Sequence, residues 1–251
     1  MLATLAQAAK VYLAVNAYAT DKAFPDLYFQ VTTVMSPSGE TVLHYRRMIS
    51  LFAPTPFDVW ERFLDIYGYD AVFPVARTEI GTLAAIASEE VLYPEIARMT
   101  AMKGAEVYVH PTSEVGSPEL TPKDITRRAR AVENMAYLVS ANSAGILGTA
   151  IPAASTDGMS KVIDYSGRVM AVAGGGESLV ANAVIDLQAL RSARRRAGMS
   201  NLVSRQPWSA YAEAYGKAPG VRPGGAPLDR EAATSRQADT IRRLIEAGVI
   251  R

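Results

Sequence analysis

From residue 79 to residue 142 the chain alternates apolar runs with stretches that open on helix-starting residues, and this alternation constrains the fold more than any other feature. Residues 79–87 read as a core strand. Pro94 can take the first position of a helix that runs to about Lys103, where Gly104 stops it. Residues 105–110 form the next strand. Thr121 caps a helix over 122–136 with Asp124 in its first turn, and 137–142 is a strand again. Strands separated by helices of this length pair in parallel through right-handed crossovers. Strands 79–87, 105–110 and 137–142, joined by 11–16, are therefore expected as neighbours in one sheet. Helices 94–103 and 122–136 are expected on the same face of it.

The flanks read differently. Residues 2–10 are rich in Ala and Leu and predict a short helix, and 11–16 looks like a buried strand apolar on both faces. Residues 27–35 are dense in β-branched and aromatic side chains, Ser36-Pro-Ser-Gly39 is a turn, and 40–46 returns as the hairpin partner. A helix is expected at about 56–67. After residue 142, strands are expected at 161–165 and 168–173 around Ser166-Gly167, with a last one at 179–185. Beyond Asp186 the chain becomes helical and then loose, with a Pro/Gly-rich tether at 219–227. A terminal helix at about 230–247 carries Ile241, Leu244 and Ile245 on one side. The expected organisation is an α/β domain over 1–190 and a tail over 191–251 that contacts a second subunit or the domain surface.

Composition narrows the functional classes. The chain has 251 residues, 49% hydrophobic and 20% charged, with a net charge of +1, no cysteine and two histidines. These values fit a globular protein in a reducing compartment, so a soluble, cytoplasmic protein is expected, with no leader peptide and no membrane span. The basic run Arg191-Ser-Ala-Arg194-Arg195-Arg196 lacks interleaved aromatics and reads as a solvated or subunit-facing helix, with no nucleic-acid partner. Gly174-Gly175-Gly176 lacks the trailing Lys-Ser/Thr of a phosphate loop. With no cysteine and two histidines, neither metal nor cofactor is expected.

Four segments in order carry a resemblance. The first runs Gly81-Thr-Leu-Ala-Ala-Ile-Ala-Ser88-Glu89-Glu90-Val91-Leu92-Tyr93-Pro94-Glu95-Ile96-Ala97-Arg98. The others are Tyr45-Arg46-Arg47, Gly104-Ala105-Glu106-Val107 with Pro111-Thr112-Ser113, and the stretch from Arg127 through Glu133-Asn134 to Asn142. Together they resemble the nitrilase, or carbon–nitrogen hydrolase, superfamily from about residue 5 to 190. The resemblance implies an α/β fold, an αββα sandwich that commonly pairs into dimers. It also implies a Cys nucleophile, a Lys that stabilises the oxyanion and a Glu general base. In this sequence the nucleophile position is Ser88 and the lysine position is Arg47. The family's base lies on a strand upstream of the matched segments. Before residue 51 the only Glu is Glu40, in the hairpin turn. The family's first strand–helix–strand unit is thus expected to be missing, leaving the sandwich N-terminally incomplete with an exposed apolar edge.

Each candidate site residue has two readings. Ser88 is either a nucleophile or a remnant that fills the elbow after a strand. His110 is either its base or a histidine satisfied at a strand end, and His44 belongs to a hairpin. Glu90 matches the family's acidic position and shapes the pocket. Glu89 replaces an aromatic and is expected to repel an incoming anion. Glu61 either mimics a substrate-orienting Glu or sits on a solvated helix. Two functions follow: a homologue with a degenerate site, acting as a subunit or small-molecule binder, or a hydrolase of a small non-peptide amide or nitrile that uses Ser88 with Arg47. A homo-oligomer is expected in either case.

Overall fold

The computed structural model describes residues 1–251 except 52, 115–120, 149, 151–155, 157, 177, 221–222 and 225–229. Most of the 219–227 tether lies outside the described residues. Helix α1 (Leu2–Ala9) leads into an antiparallel sheet of β1 (Leu13–Asp21), β2 (Phe24–Met35) and β3 (Thr41–Arg46). A short 3-10 turn (Pro56–Val59) and α2 (Trp60–Tyr67) follow. The second sheet has the order β4 (Ala76–Thr78), β5 (Gly81–Ala85), β6 (Val107–Thr112), β7 (Tyr137–Asn142), β8 (Lys161–Ile163) and β9 (Val169–Val172). Its centre, β5-β6-β7, is parallel, and both its flanks are antiparallel. Helices α3 (Pro94–Met102) and α4 (Pro122–Asn134) make the two crossovers.

Period-two alternation along β5, β6 and β7 separates two cores. Ala84, Ile86, Tyr108 and Leu138 face the crossover helices and pack with Ala97 of α3 and Ala131 of α4. Leu83, Ala85, Val107 and Tyr137 face the other way, onto Val34, Leu43 and Tyr45 of the three-stranded sheet. That sheet in turn buries Phe24, Phe29 and Val31 against Phe63 of α2. The layer order is helix, sheet, sheet, helix. The alanines of the helix-facing core leave little between α3, α4 and the sheet, so the backbones approach closely.

Three expectations change. Strand 11–16 is not a neighbour of β5–β7. It forms β1, half-exposed, in the other sheet, because a two-residue connection returns the chain from Asp21 to Phe24 as a hairpin. A partner two residues away closes with far less loop entropy than a distant parallel one. The 79–87 strand is broken at Glu79-Ile80. Gly81 takes φ +109, and Thr78 Oγ1 donates to the Gly81 carbonyl at 2.7 Å, folding β4 back on β5. Residues 179–185 form no strand: Val180 and Val184 are exposed, and among the described residues no backbone hydrogen bond joins this stretch to a strand edge. Apolar β-branched composition favours a strand, but only a partner edge makes one.

Past the second sheet, α5 (Leu187–Arg195) buries Leu190 and turns two of its basic residues inward. Arg194 donates to the carbonyls of Ala105, Asn134 and Met135, which include the end of α4, and Arg191 pairs with Glu106 at 2.6 Å. The expected solvated or subunit-facing run thus spends Arg191 and Arg194 on its own domain. In α6 (Trp208–Lys217), Tyr215 donates to Glu95 at 2.7 Å and Trp208 lies under the Arg98 guanidinium. In α7 (Arg230–Glu246), Arg236 pairs with Asp58. No helix among the described residues is long and apolar enough to cross a membrane.

Candidate active site

The chain leaves β5 with Ile86 N–H donating to the Val109 carbonyl at 3.0 Å, then turns sharply. Ser88 sits at the turn with φ +50, a left-handed conformation that disfavours any residue with a Cβ, and Ser88–Leu92 form a 3-10 turn that feeds α3. Two fully buried groups hold this elbow. Glu90 is the first. Its Oε1 accepts from the Tyr45 hydroxyl at 2.8 Å and from the Met48 and Ile49 N–H groups at 2.7 and 3.0 Å, while Oε2 accepts from Ala87 N–H at 3.0 Å. Burial pushes its pKa above the ordinary carboxylate range, against the pull of these donors. Four donors and no acceptor nonetheless suit a carboxylate. Glu90 thus ties the elbow to the end of β3.

His110 is the second. Pairing of β6 with β7 sets it opposite Ser140 on the helix-facing side, and its Nδ1 lies 2.9 Å from Ser140 Oγ. Its Nε2 is 2.8 Å from the Ser88 carbonyl oxygen, which can only accept, so Nε2 carries the proton and Nδ1 accepts from Ser140. Burial, helped by the nearby Arg127 charge, lowers its pKa to about 3 and keeps the ring neutral. The histidine therefore grips the backbone of Ser88 and does not face its hydroxyl. Among the described residues no side chain hydrogen-bonds that hydroxyl.

Alternation along β3 decides which arginine reaches the site. Arg46 points to α2, where it pairs with Asp21 at 2.7 Å and stacks on Tyr67. Arg47 turns to the other side and is 9% exposed. It donates to the Ile49 carbonyl at 2.5 Å and binds the side chains of Gln30 and Glu89. Glu89 does not present a free negative charge; it neutralises Arg47. Glu61 stands on the exposed face of α2 and is not among the residues lining the cavity beside Ser88.

That cavity measures about 410 Å³ and is polar: Ser88, Thr112, Ser113 and Asn142 face Asn16 and Gln30 of the other sheet. Gln30 donates to Asn16 at 2.9 Å, and Asn16 donates to Thr32 at 2.9 Å. Among the described residues the buried Thr112 hydroxyl has no hydrogen-bond partner. Asn142 receives the Glu114 N–H at 3.0 Å and donates to the Glu114 carbonyl at 3.1 Å. Glu114 then pairs with Lys123, at 2.7 Å, and with Arg127. Sequence reasoning missed Asn16, Gln30, Glu114 and Lys123. Gln30 carried a signal, as the one amide side chain in β2, between Phe29 and Val31. Lys123, in a polar helix start, carried none. Among the described residues no group of three or more His, Asp or Glu side chains is placed to hold a metal.

The sequence pattern of the carbon–nitrogen hydrolases matches residues 1–195. The chain belongs to the carbon–nitrogen hydrolase family. A formamidase from Helicobacter acinonychis is 32% identical over 118 residues, 47% of this chain and 32% of the relative. A formamidase from Pseudomonas syringae pv. tomato is 28% identical over 174 residues, 69% of this chain and 47% of the relative. The chain thus spans about a third to a half of the length of the curated relatives it matches. A carbon–nitrogen hydrolase from Helicobacter pylori G27 superposes with a TM-score of 0.67 at 23% identity, over 84% of this chain and 73% of that one, which shows the shared fold. In this family member the residue at the turn after β5 is a serine.

Proposed function

We propose that this chain binds a small amide in the cavity beside Ser88 and does not hydrolyse it. The observation that carries the reading is the state of Arg47. Each nitrogen of its guanidinium already donates, to the Ile49 carbonyl, to Gln30 and to Glu89, and Glu89 offsets the positive charge that an oxyanion would need. A serine hydroxyl also needs a base, and the nearest imidazole is neutral and donates to the Ser88 carbonyl. The hydroxyl and amide groups of Ser88, Thr112, Ser113, Asn16 and Gln30 suit a neutral polar ligand that both donates and accepts. The buried Thr112 hydroxyl, without a partner among the described residues, could complete a hydrogen bond to such a ligand if the side chain turned toward the cavity that Thr112 lines. The relatives named as formamidases support an amide as the ligand class.

The test is a ligand-observed NMR titration of the whole chain with malonamide. Saturation transfer to a ligand that remains chemically intact, weakened by Thr112→Val, is the expected result. Absence of transfer overturns the reading. Conversion to the acid in the tube favours instead a hydrolase that uses Ser88, for which the strained φ of +50 is the supporting observation. Residues 1–190 are proposed as the binding domain and 191–251 as a tail that joins copies of the chain; the exposed Ile241 and Ile245 of α7 support that role.

A further inference from the structure

A second cavity lies on the opposite face of β2 from the first. Gln30 lines the cavity beside Ser88, whereas its neighbours Phe29 and Val31 line the second. His44 and Arg46 of β3 share that face, and Asp21, Lys22 and Tyr67 complete the charged and polar part of the lining. At about 290 Å³ the cavity is near the lower end of ligand pockets and suits a molecule of one ring or a short chain.

Its polar groups are unevenly spent. Asp21 is saturated: Oδ2 accepts from Arg46 Nε and Nη2 at 3.1 and 2.7 Å, and Oδ1 accepts from the Tyr67 hydroxyl at 2.6 Å and from Ala23 N–H at 3.0 Å. The Arg46 guanidinium carbon lies 4.2 Å from the centre of the Tyr67 ring. Arg46 Nη1, by contrast, has no hydrogen-bond partner among the described residues. His44 Nδ1 is 3.2 Å from Thr33 Oγ1; with that hydroxyl as donor, the proton sits on Nε2, which has no partner among the described residues either. Lys22 is exposed and makes no ion pair among the described residues. Two cations against one carboxylate leave the lining with one surplus positive charge, beside the apolar wall of Phe29 and Val31. Burial and the Arg46 charge hold the His44 pKa below its ordinary 6.5, against the pull of Asp21, so the imidazole is neutral in a positive field.

We propose that this cavity is a second binding site, for a small monocarboxylate with an apolar body. The carboxylate accepts from Arg46 Nη1 and His44 Nε2, Lys22 adds long-range attraction, and the body lies on Phe29 and Val31. Hydrogen bonds from a guanidinium to a carboxylate are charge-assisted and belong to the strong class. One negative charge matches the surplus; inorganic phosphate brings more charge and makes no use of the apolar wall. Nothing in this inference rests on the amide-binding reading, because Arg46 and Arg47 serve opposite faces of the sheet.

The test follows the two histidines of the whole chain by NMR as benzoate, benzamide or inorganic phosphate is added. His110, with a pKa of about 3, does not titrate in the range of His44 and serves as the internal control. Benzoate is expected to raise the His44 midpoint by about 0.5 pH unit or more, since a bound anion favours the imidazolium. Benzamide should leave it unchanged, and phosphate should move it far less. Asp21→Asn, which frees the Arg46 guanidinium from its carboxylate, should tighten benzoate binding by about tenfold. Lys22→Gln, at an exposed position, should weaken it by about two- to threefold. A His44 midpoint that benzoate does not move overturns the proposal. Phosphate acting as strongly as benzoate also overturns it, by showing a site for any anion, and benzamide binding as tightly does so by showing an apolar pocket indifferent to charge. Benzoate affinity unchanged in both variants would remove Arg46 and Lys22 from the site and overturn it as well.

Discussion

Two regions around the Ser88 elbow, a buried floor that holds it and a charged rim near it, are built by opposite rules. Beneath Ser88, the Glu90, Tyr45, His110 and Ser140 side chains are buried and hydrogen-bonded to one another or to backbone. Around it, Arg47, Glu89, Lys123 and Glu114 are charged and paired, and Glu89 and Lys123 reach solvent. A buried polar group left without its partner carries its full desolvation penalty, so the floor tolerates little change. A partner that reaches solvent, as Glu89 does, is replaced at smaller cost than a fully buried one. The difference teaches where this chain has room to vary its chemistry: the elbow that positions a reactive residue is fixed by the fold, while the charges that would make it react belong to the rim.

Glu90→Ala strikes the floor hardest. It strands the Ala87, Met48 and Ile49 N–H groups and the Tyr45 hydroxyl in a site without solvent. A loss of about 3–5 kcal/mol in urea-unfolding free energy is expected. A loss under about 1 kcal/mol would show that the floor is as tolerant as the rim.

Acid should strike the floor next. His110 has a folded pKa depressed to about 3 from an ordinary 6.5, so its contribution is present above the unfolded value and is lost as pH falls from 6.5 toward 3. The expected slope is about 1.4 kcal/mol per pH unit in that window. The upward shift of Glu90 acts in the opposite sense, since a raised folded pKa adds stability as pH falls. The comparison of wild type with His110→Gln isolates the histidine: the variant keeps an N–H for the Ser88 carbonyl, and its unfolding free energy should fall less steeply with acid. Parallel pH profiles would contradict a neutral, buried His110.

The rim should respond least. Glu89→Gln is expected to change unfolding free energy by about 0.5 kcal/mol or less, because the carboxylate is partly exposed and Gln can still accept from Arg47. A loss comparable to that of Glu90→Ala would erase the distinction between the two regions.

Much of the frame was legible from local signals. Pro94, Gly104 and Thr121 mark helix ends through φ preference and side-chain capping, and these act within a few residues of chain. The order of four short segments was enough to place Ser88 on an elbow after a strand. Pairing was less legible, because it depends on partners far away: β1 went to the wrong sheet, and 179–185 has strand composition with no strand to meet. The site was legible by position and not by state. Arg47 stands where the resemblance puts a lysine, but its capture by Glu89 and Gln30 required side chains from three segments, and the chain gives no local sign of it. The tautomer of His110 depended on its register with Ser140 and on the carbonyl of Ser88.

The elbow, with Arg47 held by Glu89 and His110 donating to the Ser88 carbonyl, is proposed to bind an amide without turning it over. Ammonia release from a panel of small amides, by wild type, Ser88→Cys and Ser88→Cys/Arg47→Lys, tests that proposal most directly. The three proteins are expected to match the buffer blank, because groups that act as one unit give almost nothing while any one of them is out of place. Turnover by the wild type that vanishes in Ser88→Ala would contradict the account and make Ser88 a nucleophile.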